Sequence, residues 1–552
     1  MVIKLGDNNS NLDWMVYWSF HPHAPRSSQV KLINKINWAI KEGYKNIILE
    51  AGTGTGKSAI ATTLANMYDD SYILTMTKQL QEQYLDDFGD MLVEIKGRGN
   101  YKCNYKGYCD FCIKAEYKLR RCEDCEFQIA FKDAIEAENV ITNYDFLYYA
   151  GVANPLLDSR ELLILDEAHN LERKMLMLSS SELNREYIST KFGIDIFQPI
   201  MDRIKSVNNL KKDSTYWIEL CDELSEECKE RIKKIEGEGK NTVQVTLDEF
   251  ESDPSKYSNF DYVEKQNLEQ DMKSFASISL GLAMNELIID LPDMESILYN
   301  DMEINAEFKP FSVAEDTQKL LEMGNIRIFL TGTLGNKDKF CEWNNINPDE
   351  TFYIYEKSPF DVEKRPIYTD FIGRMSGQRK AGVPNWKNPR AIEKIKEILD
   401  KHSNENGVIH TSSNEQAFWI IDNLKEYPLV FVGGEDRNYV IKQFSQSDEK
   451  QILIGASIKD GVDFKGDLCR FQIIFKIPYP QLNEQVKYRK DLDPKWFYYQ
   501  TVMALMQAYG RGIRDKDDWC IMYIIDSSFK ELVDYNRGFF NEYFLEAVQK
   551  KK

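Results

Sequence analysis

The sequence predicts an α/β fold: two consecutive domains built on parallel sheets, the first interrupted by two insertions. Three observations carry this. Short apolar runs recur in two series, a glycine-rich turn follows the first run, and two stretches of different composition break the first series. The first series is NIILEA (46–51), YILT (72–75), NVIT (139–142), ELLILD (161–166) and IRIFLT (326–331). The second is GVIHT (407–411), LVFV (429–432), QILIG (451–455), FQIIF (471–475) and CIMYII (520–525). Runs of four to six Ile, Val and Leu separated by helix-like segments are the pattern of parallel strands covered on both faces. Residues 91–130 hold a cysteine cluster, and residues 172–304 are rich in charge and helix formers without a clear strand series. The expected order is therefore 1–90, 131–171 and 305–345 for the first domain, 91–130 and 172–304 for its insertions, and 346–552 for the second domain.

Length and composition agree with this plan. A chain of 552 residues exceeds one ordinary core, and 43% hydrophobic with 29% charged residues is a soluble, globular balance. The opening MVIKLGDNNSNLDW lacks the basic-then-apolar layout of a signal peptide, and no apolar run reaches membrane-spanning length. The expectation is a cytoplasmic monomer without membrane contact, nucleoid-associated in a prokaryotic or viral setting. Net charge of -19 opposes a polyanionic partner in general, although a local basic groove on an acidic enzyme can still bind one.

The first strand leads into AGTGTGKS (51–58). Glycines let backbone N–H groups converge on phosphates, and the following helix adds its N-terminal dipole. Gly52, Thr53, Gly54, Thr55 and Gly56 form the cradle, Lys57 reaches the β/γ-phosphates of ATP, and Ser58 ligates Mg²⁺. Ala51 stands where the strict pattern has glycine. ELLILDEAH ends an apolar strand in two carboxylates. Asp166 is assigned to the Mg²⁺ side and Glu167 to the base that polarises the attacking water. His169 is read as a link between nucleotide state and the rest of the motor.

In the second domain, LMQAYGRGIRD (505–515) places Arg511 and Arg514 three apart, on one helix face. A guanidinium supplied across a domain cleft stabilises phosphoryl transfer, and Gln507 is placed to orient it. ASIKDGVDFKGD (456–467) offers Asp460, Gly461 and Asp463 near the ribose or the Mg²⁺ side. FLTGTLG (329–335) has the character of a coupling loop, and HTSS (410–413) offers hydroxyls to backbone phosphates. None of these is specific alone; their order along the chain is.

Five of the ten cysteines, Cys103, Cys109, Cys112, Cys122 and Cys125, fall in one short window without a histidine. In a large intracellular enzyme such clustering reads as sulfur ligation of a metal. By spacing, Cys109, Cys112, Cys122 and Cys125 make a four-cysteine Zn²⁺ site and leave Cys103 idle. Residues 96–121 carry eight lysines and arginines against Asp110 and Glu116, with Tyr101, Tyr105, Tyr108, Phe111 and Tyr117 interleaved. Basic groups among aromatic platforms suit single-stranded nucleic acid.

The ordered run AGTGTGKS, TMTKQLQEQY, KGRGNYKC, ITNYDFLYY, DEAHN, LTGT, GVDFKGD and QAYGRGIR resembles the XPD/DinG branch of superfamily 2 DNA helicases, from PRSSQ (25–29) to about residue 530. The resemblance implies two RecA-like P-loop motor domains, an iron–sulfur insertion and a mainly helical Arch-like insertion, with SPFDVEKRP (358–366) leading into the second motor domain. It implies that Arg26 and Gln29 read adenine. It also implies a [4Fe–4S] cluster on Cys103, Cys109, Cys112 and Cys125, with Cys122 as alternate to Cys125. The family's proline after the last ligand is Glu126 here. The implied activity is ATP-driven 5′ to 3′ movement on single-stranded DNA and unwinding of DNA forks, with repair or replication proteins as partners. Two other readings share many of these residues: a translocase that acts on RNA or strips proteins without unwinding, and a non-catalytic ATP-binding scaffold in a repair or transcription assembly. Intact Lys57, Glu167 and Arg511 argue against the scaffold.

Overall fold

Every side chain of strand Asn46–Ala51 is buried, because helices cover both faces of its sheet. Along the strand, Ile48 joins the core beneath helices Glu126–Glu136 and Leu171–Leu178. Ile47 and Leu49 join the opposite core, beneath helices Ser27–Lys41, Lys57–Ala65 and Lys78–Phe88. Leu163 and Leu165 divide from Leu162 and Ile164 in the same way. Consecutive apolar residues are thus required, and each fully buried Leu or Ile contributes about 1.5–3 kcal/mol. The computed structural model describes residues 14–19, 23–52, 54–103, 107–108, 124–238, 260–299, 301–380, 382–434, 437–456, 458, 464, 466–513 and 517–549.

The first sheet has seven parallel strands, in the spatial order Thr351–Glu356, Asn46–Ala51, Gly324–Thr331, Arg160–Leu165, Ser71–Thr75, Asn139–Asn143 and Val93–Glu94. The second has six, again parallel: Ile367–Tyr368, Ile521–Ile524, Phe471–Ile474, Gly407–His410, Ile452–Gly455 and Leu429–Phe431. Both apolar series therefore become sheet interiors, and the chain has the predicted two α/β domains. The sheet of the first domain also takes in Thr351–Glu356, on the far side of residue 345. Only Thr351 and Ile354 of this strand are buried, at the sheet edge, which weakens its apolar signal.

The second insertion centres on two long helices packed together, Ser214–Glu238 and Phe260–Ala283. They stand on a three-stranded antiparallel sheet of Ser181–Asn184, Asn305–Pro310 and Leu287–Asp290. The strand Asn305–Pro310 thus pairs inside the insertion, beyond residue 304. Trp217, fully buried, centres a separate core with Phe197 and Phe308 at its edges. Buried Arg185 closes the base, donating to Asp195 at 2.6 Å and to the Ile297 carbonyl at 3.1 Å. No helix among the described residues is long and apolar enough to cross a membrane.

Candidate functional site

The phosphate loop turns where its sequence requires. Gly54 and Gly56 sit at φ +80° and +77°, backbone that L side chains rarely adopt. Gly56 caps helix Lys57–Ala65, and a Cβ there would fall 2.3 Å from the Gln29 side-chain nitrogen. A Cβ on Gly52 would meet Ser358 Cβ at 2.9 Å, so that glycine lets the segment leading to the second domain approach. Thr55 donates to the Gly52 carbonyl at 2.8 Å, and Lys57 Nζ donates to the Ala51 carbonyl at 3.0 Å. Arg26 and Gln29 lie against this loop: the Arg26 guanidinium donates to the Gly54 carbonyl, and Gln29 Oε1 accepts the Arg26 amide at 2.8 Å. Thr53 lies outside the described residues.

Asp166 ends the neighbouring region of the sheet, almost fully buried. Its carboxylate accepts from Tyr84 Oη at 3.0 Å and from the Glu167 amide at 2.9 Å, and Tyr144 Oη donates to its carbonyl at 3.1 Å. Burial, and then the Glu167 charge, push its pKa up to about 6, against the pull of Lys57. A desolvated carboxyl facing an ammonium and Ser58 (itself within reach of Tyr84 Oη) has the chemistry of a divalent-cation seat. Glu167 adopts φ +51°, which turns its carboxylate out of the strand and into the cleft.

The second domain completes this cleft. A cavity of about 480 Å³ is lined by Gly52, Glu167, Gly332 and Thr333 from one side and by Gln507 and Arg511 from the other. Helix Pro494–Tyr509 carries Gln507, and the turn after it presents Arg511. Arg514, Asp460, Gly461 and Asp463 lie outside the described residues. In HTSS, Ser413 Oγ accepts the Gln416 amide at 3.3 Å and so caps helix Asn414–Asn423.

Cys103 and Cys125 come to adjoining elements. Cys103 ends strand Lys102–Cys103, and Cys125 caps helix Glu126–Glu136. The Lys102 amide donates to Glu126 Oε2 at 2.8 Å, tying the two together. Both thiols are half-buried and pack on the edge of the first core. Beside them the Arg98 guanidinium lies 4.7 Å over the Phe127 ring, which also meets Tyr101 edge-on. Cys109, Cys112 and Cys122 lie outside the described residues, among which no cluster of three metal-ligating side chains occurs. Two thiols at one locus fit the sulfur donor set of either an iron–sulfur cluster or zinc.

Sequence reasoning missed Tyr84, Glu50 and Asn541. Tyr84 falls on the buried stripe of its helix with Gln81 and Phe88, a periodicity that marks it as core, though its hydroxyl serves Asp166. Asn541 has no local signal of its contact with Glu50, 491 residues away.

Two family profiles match the chain: "Type III restriction enzyme, res subunit" over residues 22–220 and "Helicase C-terminal domain" over residues 390–543. A probable ATP-dependent helicase of Methanocaldococcus jannaschii is 22% identical over 92% of each chain. The ATP-dependent DNA helicase YoaA of Haemophilus influenzae is also 22% identical, over 95% of this chain and 93% of its own. Among solved structures, an XPD helicase superposes with TM-score 0.60 at 16% identity, covering 95% of this chain and 99% of that one. Xpd4 of S. tokodaii does so with TM-score 0.54 at 14% identity, covering 96% and 100%. Fold and cleft define a two-domain P-loop motor of the helicase class. The two profiles, the helicase relatives and the shared fold support an XPD/DinG-type superfamily 2 helicase.

Proposed function

We propose that the chain is an ATP-dependent DNA helicase that moves 5′ to 3′ on single-stranded DNA and splits duplex at forks. The observation that carries the reading is the shared cleft, in which Gly52 and Glu167 of one domain face Gln507 and Arg511 of the other. Such a site makes hydrolysis depend on domain closure. Lys57 binds the phosphates, with Arg26 and Gln29 on the adenine side. Glu167 takes the proton of the attacking water, Arg511 and Arg514 offset charge on the transferring phosphoryl group, Gln507 orients them, and Asp463 contacts the ribose or the Mg²⁺ side. Ser58 and Asp166 would hold Mg²⁺, which supplies charge neutralisation at the phosphates. Cys103, Cys109, Cys112 and Cys125 would hold a [4Fe–4S] cluster, with Cys122 as alternate, that supplies a rigid fold to the basic insert. That insert, residues 91–130, would sit where the strands part, and residues 172–304 would form the Arch-like wall. The protein would act as an intracellular monomer, alongside repair or replication proteins.

The names of the relatives support the activity, and the basic, tyrosine-rich window supports the DNA path. The test is ATP turnover with and without single-stranded DNA, with Lys57→Ala as control, followed by unwinding of DNA and RNA forks of both polarities. Stimulation by DNA and opening of 5′-tailed DNA forks are expected. Absence of stimulation refutes the helicase, and RNA-only activity or translocation without strand separation shifts the assignment to a remodeller.

A further inference from the structure

The strand that feeds the phosphate loop is held from a distant part of the chain. Glu50 precedes Ala51, the residue whose carbonyl accepts Lys57 Nζ at 3.0 Å. It is buried to 1% exposure, yet its carboxylate is fully engaged. Oε2 accepts from Tyr353 Oη at 2.6 Å, and Oε1 accepts from Asn541 Nδ2 at 3.2 Å. Tyr353 belongs to the same sheet, one strand away. Asn541 belongs to the C-terminal return that packs on the second domain.

Asn541 uses all its groups. Its Oδ1 accepts the Phe544 amide at 3.0 Å and caps helix Glu542–Leu545, and its backbone N–H points to Met506 Sδ at 3.4 Å. Met506 precedes Gln507 on the helix that leads to Arg511. The same return presses on the coupling loop: Gly335 lies at φ +74°, and a Cβ there would fall 2.1 Å from the Phe539 carbonyl. Tyr499, on the Gln507 helix, donates to the Leu334 carbonyl at 2.9 Å. A continuous path of buried contacts therefore runs from the phosphate loop through Glu50 and Asn541 to the arginine-bearing turn.

We propose that the Asn541–Glu50 bond is a pin that sets the register between phosphate loop and Arg511 turn, which makes Asn541 a positioning residue for ATP hydrolysis. This deepens the helicase reading and rests on it. Asn541 also lines the shared cleft, and because it is the donor of the pin its loss is expected to act on turnover more than on ATP binding. Its amide is the donor that a buried carboxylate requires. Asn541→Asp keeps the helix cap but sets carboxylate against carboxylate. Adding Glu50→Gln restores a donor–acceptor pair with the direction reversed, and leaves an oxygen for Tyr353.

The experiment measures kcat and KM for ATP, with and without single-stranded DNA, for the wild type, N541D and E50Q/N541D, with thermal melting to confirm folding. Misplacement of this kind is expected to cost N541D about tenfold or more in kcat, with KM for ATP within about twofold and the double variant restored to within about threefold of wild type. Wild-type turnover in N541D overturns the pin. So does a folded double variant as slow as N541D. Should N541D fail to fold, recovery in the double variant alone supports the pair, and its absence refutes it. A wild type that hydrolyses ATP without DNA stimulation refutes the helicase reading but leaves the pin measurable in basal turnover.

Discussion

His169 Nδ1 lies 2.9 Å from the Thr331 hydroxyl and 3.3 Å from a Glu167 carboxylate oxygen. The Thr331 hydroxyl donates to the Thr333 carbonyl at 2.8 Å, so it accepts from His169, whose Nδ1 carries the proton. Asn170 Nδ2 then donates to Nε2 at 2.8 Å. One imidazole thus joins the candidate base to the loop after strand Gly324–Thr331. His169→Ala is expected to lower ATP turnover by about tenfold or less while reducing unwinding per ATP hydrolysed more strongly. Parallel phosphate-release and fork-opening assays measure the ratio, and an unchanged ratio argues against coupling.

Removal of the base should separate binding from chemistry. Glu167→Gln is expected to reduce kcat by about 10²–10⁴-fold while nucleotide and DNA affinities stay near wild type. Fluorescent-nucleotide titration and DNA mobility shift check the second half of the expectation.

The two domains also meet through Glu172, just past the acidic strand end. It is buried and accepts from the Arg489 guanidinium, from Trp496 Nε1 at 2.9 Å and from Gln500 Nε2 at 3.4 Å. Glu172→Ala strands the guanidinium in a low-dielectric interface, which should cost about 3–5 kcal/mol. Urea unfolding should show this loss, with a smaller one for Glu172→Gln, which keeps an acceptor.

Two glycines with positive φ provide an internal contrast. Gly43, at φ +93°, has open space where a Cβ would go, whereas Gly335 has the Phe539 carbonyl in the way. Gly43→Ala should cost about 1 kcal/mol from backbone strain alone. Gly335→Ala should cost more and lower ATP turnover as well, because the C-terminal return must shift. Chemical denaturation of both variants beside the turnover assay tests the ordering.

The proposed sulfur site would have a spectroscopic signature. Anaerobically purified protein is expected to absorb broadly near about 400 nm, as thiolate-held iron–sulfur clusters do. Cys103→Ser should remove the band and Cys122→Ser should preserve it. Colourless wild-type protein with bound zinc would assign the quartet of Cys109, Cys112, Cys122 and Cys125 instead.

Much of the fold is legible in the sequence because both sheets are covered on both faces. Strands such as NIILEA and ELLIL must then be apolar at successive positions, and they stand out. TFYIYE does not, because it closes the sheet edge with only Thr351 and Ile354 buried. The insertion's strands SELN and NAEFKP are short and polar, and their pairing is decided by partners far along the chain. The phosphate loop and the acidic strand end are legible because their chemistry is local. The roles of Glu50, Thr331 and Asn541 are not, since each depends on a contact that only the assembled domains create.

The spatial order of the first sheet has a consequence for biosynthesis. Strand Gly324–Thr331 lies between Asn46–Ala51 and Arg160–Leu165. On a ribosome adding about 5–20 residues per second, the phosphate-loop strand therefore waits on the order of tens of seconds for its inner neighbour. The cysteine window emerges early in that interval, before the sheet beside it can close. Were this window to hold the proposed [4Fe–4S] cluster, cofactor delivery and co-translational folding would compete for the same nascent chain, and scarce iron would reduce the yield of folded protein as well as its activity.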